Sequence, residues 1–213
     1  MKELLIFGAG GHSKVCIETA QSMGYKIKAV FDDDENKRGN KVVGISVIGG
    51  TRELLDNYPP NEYELFIAIG SNKARMEKYE FFKNEGYEFA TLIHPFSFVS
   101  KTVKIGENVL IMPGVVVNSS TIISDNIILN TSCTIDHDCR IMPHVHIAPG
   151  VNLAGSVFVG TGSFLGIGCK VIQEVKIANW NIVGAGAVVI EDTEDFGVYV
   201  GVPAKMIKNL KRV

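Results

Sequence analysis

Val117-Asn118-Ser119-Ser120-Thr121-Ile122-Ile123-Ser124-Asp125-Asn126-Ile127-Ile128-Leu129-Asn130-Thr131-Ser132-Cys133-Thr134-Ile135 returns to the same register every six residues. Val117, Ile123, Leu129 and Ile135 share that register, and it continues unbroken in both directions. From Val99 it runs through Ile105, Ile111, Val117, Ile123, Leu129, Ile135, Ile141, Ile147, Leu153, Val159, Leu165, Val171, Ile177 and Val183 to Val189, sixteen Val, Ile or Leu in succession. Self-similarity at a fixed period marks a repeat architecture. The residue after each is mostly small or polar, as at Gly106, Asn118, Asn130, Ala148, Ala154, Gly160, Gly166, Ala178 and Gly184. The pattern predicts a short strand and then a tight corner, with three such sides closing a triangular coil. The branched residue points inward onto its counterpart one coil on, and the small residue fits the corner. Residues 99–189 make about five coils, a prism about 24 Å tall at the usual strand spacing of about 4.8 Å.

The first ninety or so residues obey a different rule. Leu4–Phe7 predicts a buried strand, Gly8-Ala9-Gly10-Gly11-His12-Ser13 a glycine-rich turn, and Lys14–Met23 a helix ending at Gly24. A second strand (Ile27–Phe31), a short helix (Arg52–Tyr58), a third strand (Leu65–Ile69) and another helix (Ala74–Asn84) follow. Strands alternating with helices imply a parallel sheet. His94-Pro95 marks the passage into the first coil, so the domains are expected at 1–92 and 93–213. The tail, Met206–Lys211, predicts a short basic helix capping the last coil's open edge.

The formal net charge is -2, which argues against a nucleic-acid or anionic-membrane partner. No apolar run approaches eighteen residues, and the N-terminus lacks the grammar of a signal peptide. Cys16, Cys133, Cys139 and Cys169 form no CxxC pair, and the expectation is reduced thiols in a cytoplasmic protein.

Gly8-x-Gly10 between strand and helix suits a phosphate, because exposed backbone N–H groups and the helix N-terminus favour an anion. Asp32 follows at about the spacing where a dinucleotide fold meets a ribose hydroxyl, but Ser13 stands where that fingerprint has its third glycine. On its own the loop is as compatible with a tight turn as with phosphate binding. Asp136-His137-Asp138 follows inward Ile135, so His137 belongs at a corner. A carboxylate beside an imidazole fixes its tautomer and raises its basicity, as a general base requires. The plainer alternative is a solvated polar corner. His144 and His146 lie close by, as structural hydrogen-bonders or, with His137, as metal ligands.

The chain resembles the sugar-modifying branch of the hexapeptide-repeat acyltransferases: the bacterial N-acetyltransferases of nucleotide-linked 4-amino sugars and the sialic acid O-acetyltransferases. The carrying motifs are Gly8-Ala9-Gly10-Gly11-His12, Phe31-Asp32-Asp33, Ala68-Ile69-Gly70-Ser71-Asn72, Ile135-Asp136-His137-Asp138-Cys139 and Gly201-Val202-Pro203-Ala204-Lys205. The resemblance implies an N-terminal α/β parallel-sheet (Rossmann-like) nucleotide-sugar-binding subdomain. A left-handed parallel β-helix with a short C-terminal helix follows it, the handedness coming from the resemblance alone. It implies acetyl transfer from acetyl-CoA to the 4-amino group of a UDP-, dTDP- or GDP-linked sugar for bacterial surface glycan, in a homotrimer with sites between subunits.

By the same resemblance Gly10, Gly11 and His12 meet the diphosphate or sugar, Asp32 and Asp33 the nucleoside, and Gly70 the same ligand. His137 matches the family's base and Asp138 its acidic neighbour, a glutamate in other members and one methylene longer there. His146 matches a histidine that meets acetyl-CoA, and Ile167 and Ala185 match the pantetheine groove. Gly155 is a candidate backbone donor to the oxyanion. Lys205, Lys208, Lys211 and Arg212 either meet the phosphates of coenzyme A or form a solvated face. No metal is expected. The rival readings are sialic acid O-acetylation, a metal-dependent lyase of the same architecture, and a non-catalytic scaffold.

Overall fold

The computed structural model describes residues 2–212, whose contacts form two compact units dividing between Pro95 and Phe96. In the first, β1 (Glu3–Phe7), α1 (Gly11–Ser22), β2 (Ile27–Phe31), β3 (Lys41–Val42), β4 (Ile45–Gly49), α2 (Thr51–Asn57), β5 (Tyr63–Ile67), α3 (Asn72–Asn84) and β6 (Glu88–Phe89) follow in order. The sheet order is β3-β4-β2-β1-β5-β6, parallel except for the β3–β4 hairpin. Leu4, Leu5, Ile6 and Phe7 are all buried, as an unbroken apolar run on a central parallel strand requires. Phe7, Phe31, Tyr79, Phe82 and Tyr87 fill the core around them, with Phe7 and Phe82 tilted at 5.0 Å.

Two local features depart from the sequence reading. Helix α1 starts at Gly11, three residues early, and Ser13 Oγ donates to Gly10 O at 2.6 Å within the first turn. The β3–β4 hairpin was not anticipated. Its two-residue loop, Val43-Gly44, has positive φ at both positions (47° and 78°), the type I′ geometry in which a β-branched residue is unusual.

The second unit is a parallel β-helix. Two-residue strands recur every six residues from Phe98–Val99 to Val188–Val189. Up to Lys170–Val171 they pair in parallel with the strand eighteen residues on, so Val117, Ile135, Leu153, Val171 and Val189 stack on the first face. Ile123, Ile141, Val159 and Ile177 stack on the second, and Ile111, Leu129, Ile147, Leu165 and Val183 on the third. All the inward residues from Ile111 onward are buried, while Val99 and Ile105 are half-buried in the first coil. Cys133, Cys139 and Cys169 lie two residues before inward positions and are fully buried.

The corners are built differently from the expectation. The left-handed residue comes three positions after the inward one, at every sixth position from Asn108 (φ 52°) through Asp138 (φ 60°) to Gly186 (φ 66°). The small residue directly after the inward one answers a different demand. A Cβ on Gly160 would lie 2.7 Å from the Ala178 carbonyl carbon, and one on Gly166 2.7 Å from Val183 O. Coil-on-coil spacing, not corner dihedrals, keeps those side chains small.

The tail corrects the predicted basic helix. Lys205–Asn209 is a strand, antiparallel to Gly197–Val200, which itself pairs in parallel with Ile182–Val183. Only Leu210–Arg212 turns, as one 3₁₀ turn. Backbone pairing to the last coil outweighs the local helical preference of a lysine-rich segment, and Lys205 and Lys208 on the outermost strand discourage further pairing. Among the described residues no helix is long and apolar enough to cross a membrane.

Candidate active site

In the first unit the functional candidates gather at the carboxyl edge of the sheet, where open α/β sheets bind ligands beside the strand that switches direction. Gly8 is required by the fold. Its φ is 115°, and a Cβ there would meet Ala68 O at 2.8 Å. Gly10 and Gly11 are not required in that sense, since a Cβ on either would point into open space. They border a cleft shared with His12, Asp32, Ile69 and Gly70.

Asp32 clasps the glycine loop from the end of β2. Its Oδ2 accepts from Ala9 N at 2.7 Å and from Lys37 Nζ at 2.9 Å, and its Oδ1 from Asp34 N at 2.9 Å. Partial burial opposes its ionisation, but those bonds outweigh it and hold the carboxyl below its ordinary range. Asp33 Oδ1 accepts from Thr51 N at 2.7 Å, and its Oδ2 meets Thr51 Oγ1 and Lys78 Nζ. Again burial raises its pKa and the bonds, led by Lys78, more than reverse it. Asp33 borders a second cleft with Gly50, Thr51 and Arg38. His12 is pushed down to about 4, first by burial and then by the charge of Arg75, so it is neutral at pH 7.

In the β-helix, His137 stands at the corner between the first and second faces. Its Nδ1 donates to Asp138 Oδ2 at 2.8 Å, so the shorter aspartate does reach the ring. Asp136 Oδ1 accepts from His137 N at 2.8 Å and from Asn118 Nδ2 at 2.9 Å, fixing the turn from below. The bond to Asp138, then the charge of Asp136, raise the imidazole pKa above its ordinary value. With Nδ1 protonated, Nε2 is the basic atom. Gly155 lies one coil on in the same corner, so close that a Cβ there would be 2.7 Å from His137 Cε1 and 2.8 Å from Nε2.

The other candidates lie elsewhere on the coil. His146, on the third face, takes Asn130 Nδ2 on its Nε2 at 3.2 Å and meets Phe164 edge-on at 5.1 Å. Ile167 and Ala185 share the corner between the third and first faces, where Ile167 O accepts from Gly186 N at 2.8 Å. Both are exposed. His144 is buried at the remaining corner in a side-chain ladder: Asn108 donates to Asn126 at 2.7 Å, and Asn126 Nδ2 meets His144 Nδ1 at 2.8 Å. His137 and His144 are thus on different corners and His146 on a face. No group of three His, Cys, Asp or Glu among the described residues could hold a metal ion.

Lys205 reaches Glu191 at 3.5 Å and Lys211 lies 4.2 Å over the Phe196 ring. The side chain of Arg212 lies outside the described residues. Burial pushes the thiols of Cys133 and Cys169 up to about 12 and that of Cys139 up to about 11, so all three are protonated and poor nucleophiles.

Sequence reasoning passed over Lys37, Arg75, Lys78 and Asn130. Lys37 sits in a single 3₁₀ turn and Arg75 and Lys78 in α3, each among other charges, where no pattern separates a buried cation from a solvated one. Asn130 occupies the repeat's small-or-polar position, and nothing local marks it as the partner of His146, sixteen residues on.

Residues 3–82 match the family described as the PglD N-terminal domain. A curated relative, the UDP-N-acetylbacillosamine N-acetyltransferase of Bacillus subtilis (strain 168), is 34% identical over 114 residues, 53% of this chain and 52% of that relative. That match spans about half the relative's length. Among solved structures, a mutant GDP-perosamine N-acetyltransferase from Caulobacter crescentus, in complex with CoA and GDP-perosamine, is 38% identical with a TM-score of 0.93, covering 98% of each chain. The acetyltransferase domain of PglB from Neisseria gonorrhoeae FA1090, in complex with acetyl coenzyme A, is 34% identical with a TM-score of 0.90, covering 97% of this chain and 99% of that one.

Proposed function

This chain belongs to the family of β-helical hexapeptide-repeat amino-sugar N-acetyltransferases, and from that premise we propose that it moves the acetyl group of acetyl-CoA to the 4-amino group of a nucleotide-linked sugar, with His137 as general base. The observation that carries the assignment is the His137 corner: an exposed imidazole whose Nδ1 is held by Asp138, with Nε2 close beside Gly155. Nε2 takes a proton from the amine as its nitrogen attacks the thioester carbonyl, and the proton passes on to the departing thiolate. The Gly155 N–H is our candidate donor to the oxyanion. No acyl-enzyme is needed, since an amine attacks a thioester directly and every cysteine is buried.

In the first unit Gly10, Gly11 and His12 take the diphosphate or sugar, Asp32 and Asp33 border the nucleoside, and Gly70 lies against the same ligand. What supports this is that Gly10 and Gly11 are bare where the fold itself would admit a side chain. The two aspartates act largely by holding their loops, because their oxygens are already engaged by Ala9, Lys37, Thr51 and Lys78. Acetyl-CoA would lie along His146, Ile167 and Ala185.

The working form is read as a homotrimer. His137 occupies one corner of the coil and the Ile167–Ala185 groove another, so a reaction uniting them is naturally completed by a neighbouring prism. The reaction belongs in the cytoplasm, where both substrates are available, and serves surface-glycan synthesis.

The deciding experiment follows release of free coenzyme A thiol from acetyl-CoA across UDP-, dTDP- and GDP-linked 4-amino sugars and free sialic acid. Release with one nucleotide amino sugar alone is expected. Release with sialic acid alone would move the chain to O-acetylation, and silence throughout would remove the assignment.

The role of Asp138 has its own signature. A general base must be neutral, so activity is lost as pH falls through the imidazole pKa. Asp138 is the largest cause of the upward shift. Asp138→Asn should therefore move the acid limb of the kcat/KM profile to lower pH while reducing the plateau. An unmoved limb would deny Asp138 that role.

A further inference from the structure

Arg75 is a buried cation of the first unit with no part in the reaction described above. It lies in the first turn of α3 and is only 1% exposed. Burying a guanidinium is costly, and the cost is met only where its donors are well bonded. Its Nη1 donates to Ile69 O at 3.2 Å and Gly70 O at 3.3 Å, and its Nη2 to Asn72 Oδ1 at 3.1 Å. The charge therefore sits directly beneath the loop joining β5 to α3, the loop that carries Gly70 to the cleft shared with Gly10, Gly11 and His12.

The peptide plane turns this into a statement about the cleft. In a trans peptide the N–H points opposite to the C=O. With Ile69 O and Gly70 O both drawn onto the guanidinium, the N–H groups of Gly70 and Ser71 are both directed away from it. Successive carbonyls alternate along an extended strand, so two in a row on one side give two neighbouring N–H groups on the other. That is the arrangement of an anion-binding nest. Gly70 is half-buried and Ser71 exposed, so this side of the loop is the accessible one.

We propose that Arg75 is a positioning residue for the nucleotide sugar: from beneath the loop it presents the Gly70 and Ser71 amides as a donor pair to a phosphate oxygen of the substrate. This rests on the nucleotide-sugar reading above. The planar fork is essential to it, because the three donors of a lysine ammonium diverge from a single nitrogen and cannot reproduce the reach of two separate guanidinium nitrogens to these three acceptors.

The test uses the full chain with three variants. Arg75→Lys keeps the charge and loses the fork. Ser71→Pro deletes the Ser71 N–H at a residue whose φ of -69° already suits proline. Gly70, which precedes it, has no Cβ to clash with the ring. Ser71→Ala is the control, since it keeps the N–H and loses only the hydroxyl that caps Ala74 N at 3.5 Å. Steady-state kinetics are measured with the nucleotide amino sugar and acetyl-CoA. Calorimetric titrations use UDP, dTDP and GDP, and melting curves confirm folding.

Arg75→Lys and Ser71→Pro should each raise KM for the nucleotide sugar by about tenfold or more and weaken the nucleoside diphosphate in parallel, with kcat and the acetyl-CoA KM within about twofold of wild type. Ser71→Ala, which keeps the N–H, should raise the sugar KM far less than Ser71→Pro does, and equal rises in the two would overturn the role of the amide. Should Arg75→Lys fail to fold, Ser71→Pro against Ser71→Ala decides alone. Unchanged sugar KM in the folded variants overturns the proposal, as does an equal rise in both KM values. A wild-type protein that neither binds a nucleoside diphosphate nor acetylates a nucleotide sugar overturns the underlying reading, and the proposal with it.

Discussion

His137→Ala lowers turnover by about 10²-fold or more and leaves coenzyme A affinity within a few-fold of wild type. The size of the loss follows from what is removed. An amine in a thioester aminolysis must shed a proton, and a positioned base is worth about 10²–10⁴-fold to such a step. Here the base is prepared in three ways: Asp138 holds Nδ1 at 2.8 Å, Asp136 holds the backbone N–H at 2.8 Å, and both carboxylates raise the imidazole pKa. None of this supports the core. The His137 side chain is 57% exposed, and no inward column of the helix touches its role. The variant should therefore melt as the parent does. The coenzyme A half should persist because Ile167 and Ala185 stand at a different corner. The readings are single-turnover rate, calorimetric affinity for coenzyme A, and the pH profile of the residual activity, which should lose its acid limb. Turnover near the wild-type rate would remove His137 from the chemistry.

The β-helix was legible because its rule is one-dimensional. An inward residue every sixth position is all that three stacked faces need, and Ile111 through Val189 obey it without exception. What stayed hidden depends on partners far apart in sequence. Lys205–Asn209 has the local look of a basic helix, and becomes a strand because Gly197–Val200 offers its edge. Val43 hides a hairpin, since a β-branched residue is a poor signal for a turn that demands positive φ. At the site, the Asp136-His137-Asp138 corner was visible as a motif, and only geometry could show that the aspartate reaches the ring. Arg75 was invisible: nothing local distinguishes it from Lys73 or Lys78, yet it alone of the three is fully buried. Residues that work through their own repeat position are readable from sequence, and residues that work through another element are not.

Gly155→Ala tests the corner from the opposite side, by adding one methyl group and removing nothing. The backbone at Gly155 does not have the left-handed φ that side chains resist, so alanine is conformationally acceptable there. The obstacle is the ring. The new Cβ would lie 2.7 Å from His137 Cε1, 2.8 Å from Nε2 and 3.3 Å from Nδ1, too close on all three counts. Gly155 belongs to the stacked backbone of the next coil, where Glu174 N donates to its carbonyl at 3.0 Å, so it is the imidazole that must yield. The ring is exposed and can swing outward at little cost to folding, but in doing so it leaves Asp138 and the place where the substrate amine is expected. A misplacement of about 1 Å in a reacting group costs on the order of 10²-fold. Gly155→Ala should therefore lose about as much turnover as a cut in the base itself, with a melting temperature close to wild type and acetyl-CoA binding retained. The acid limb of whatever activity remains should move toward the ordinary histidine value, because the ring has parted from its carboxylate. Wild-type turnover in a folded Gly155→Ala protein would mean that the imidazole position set by this corner is not the one used in the reaction.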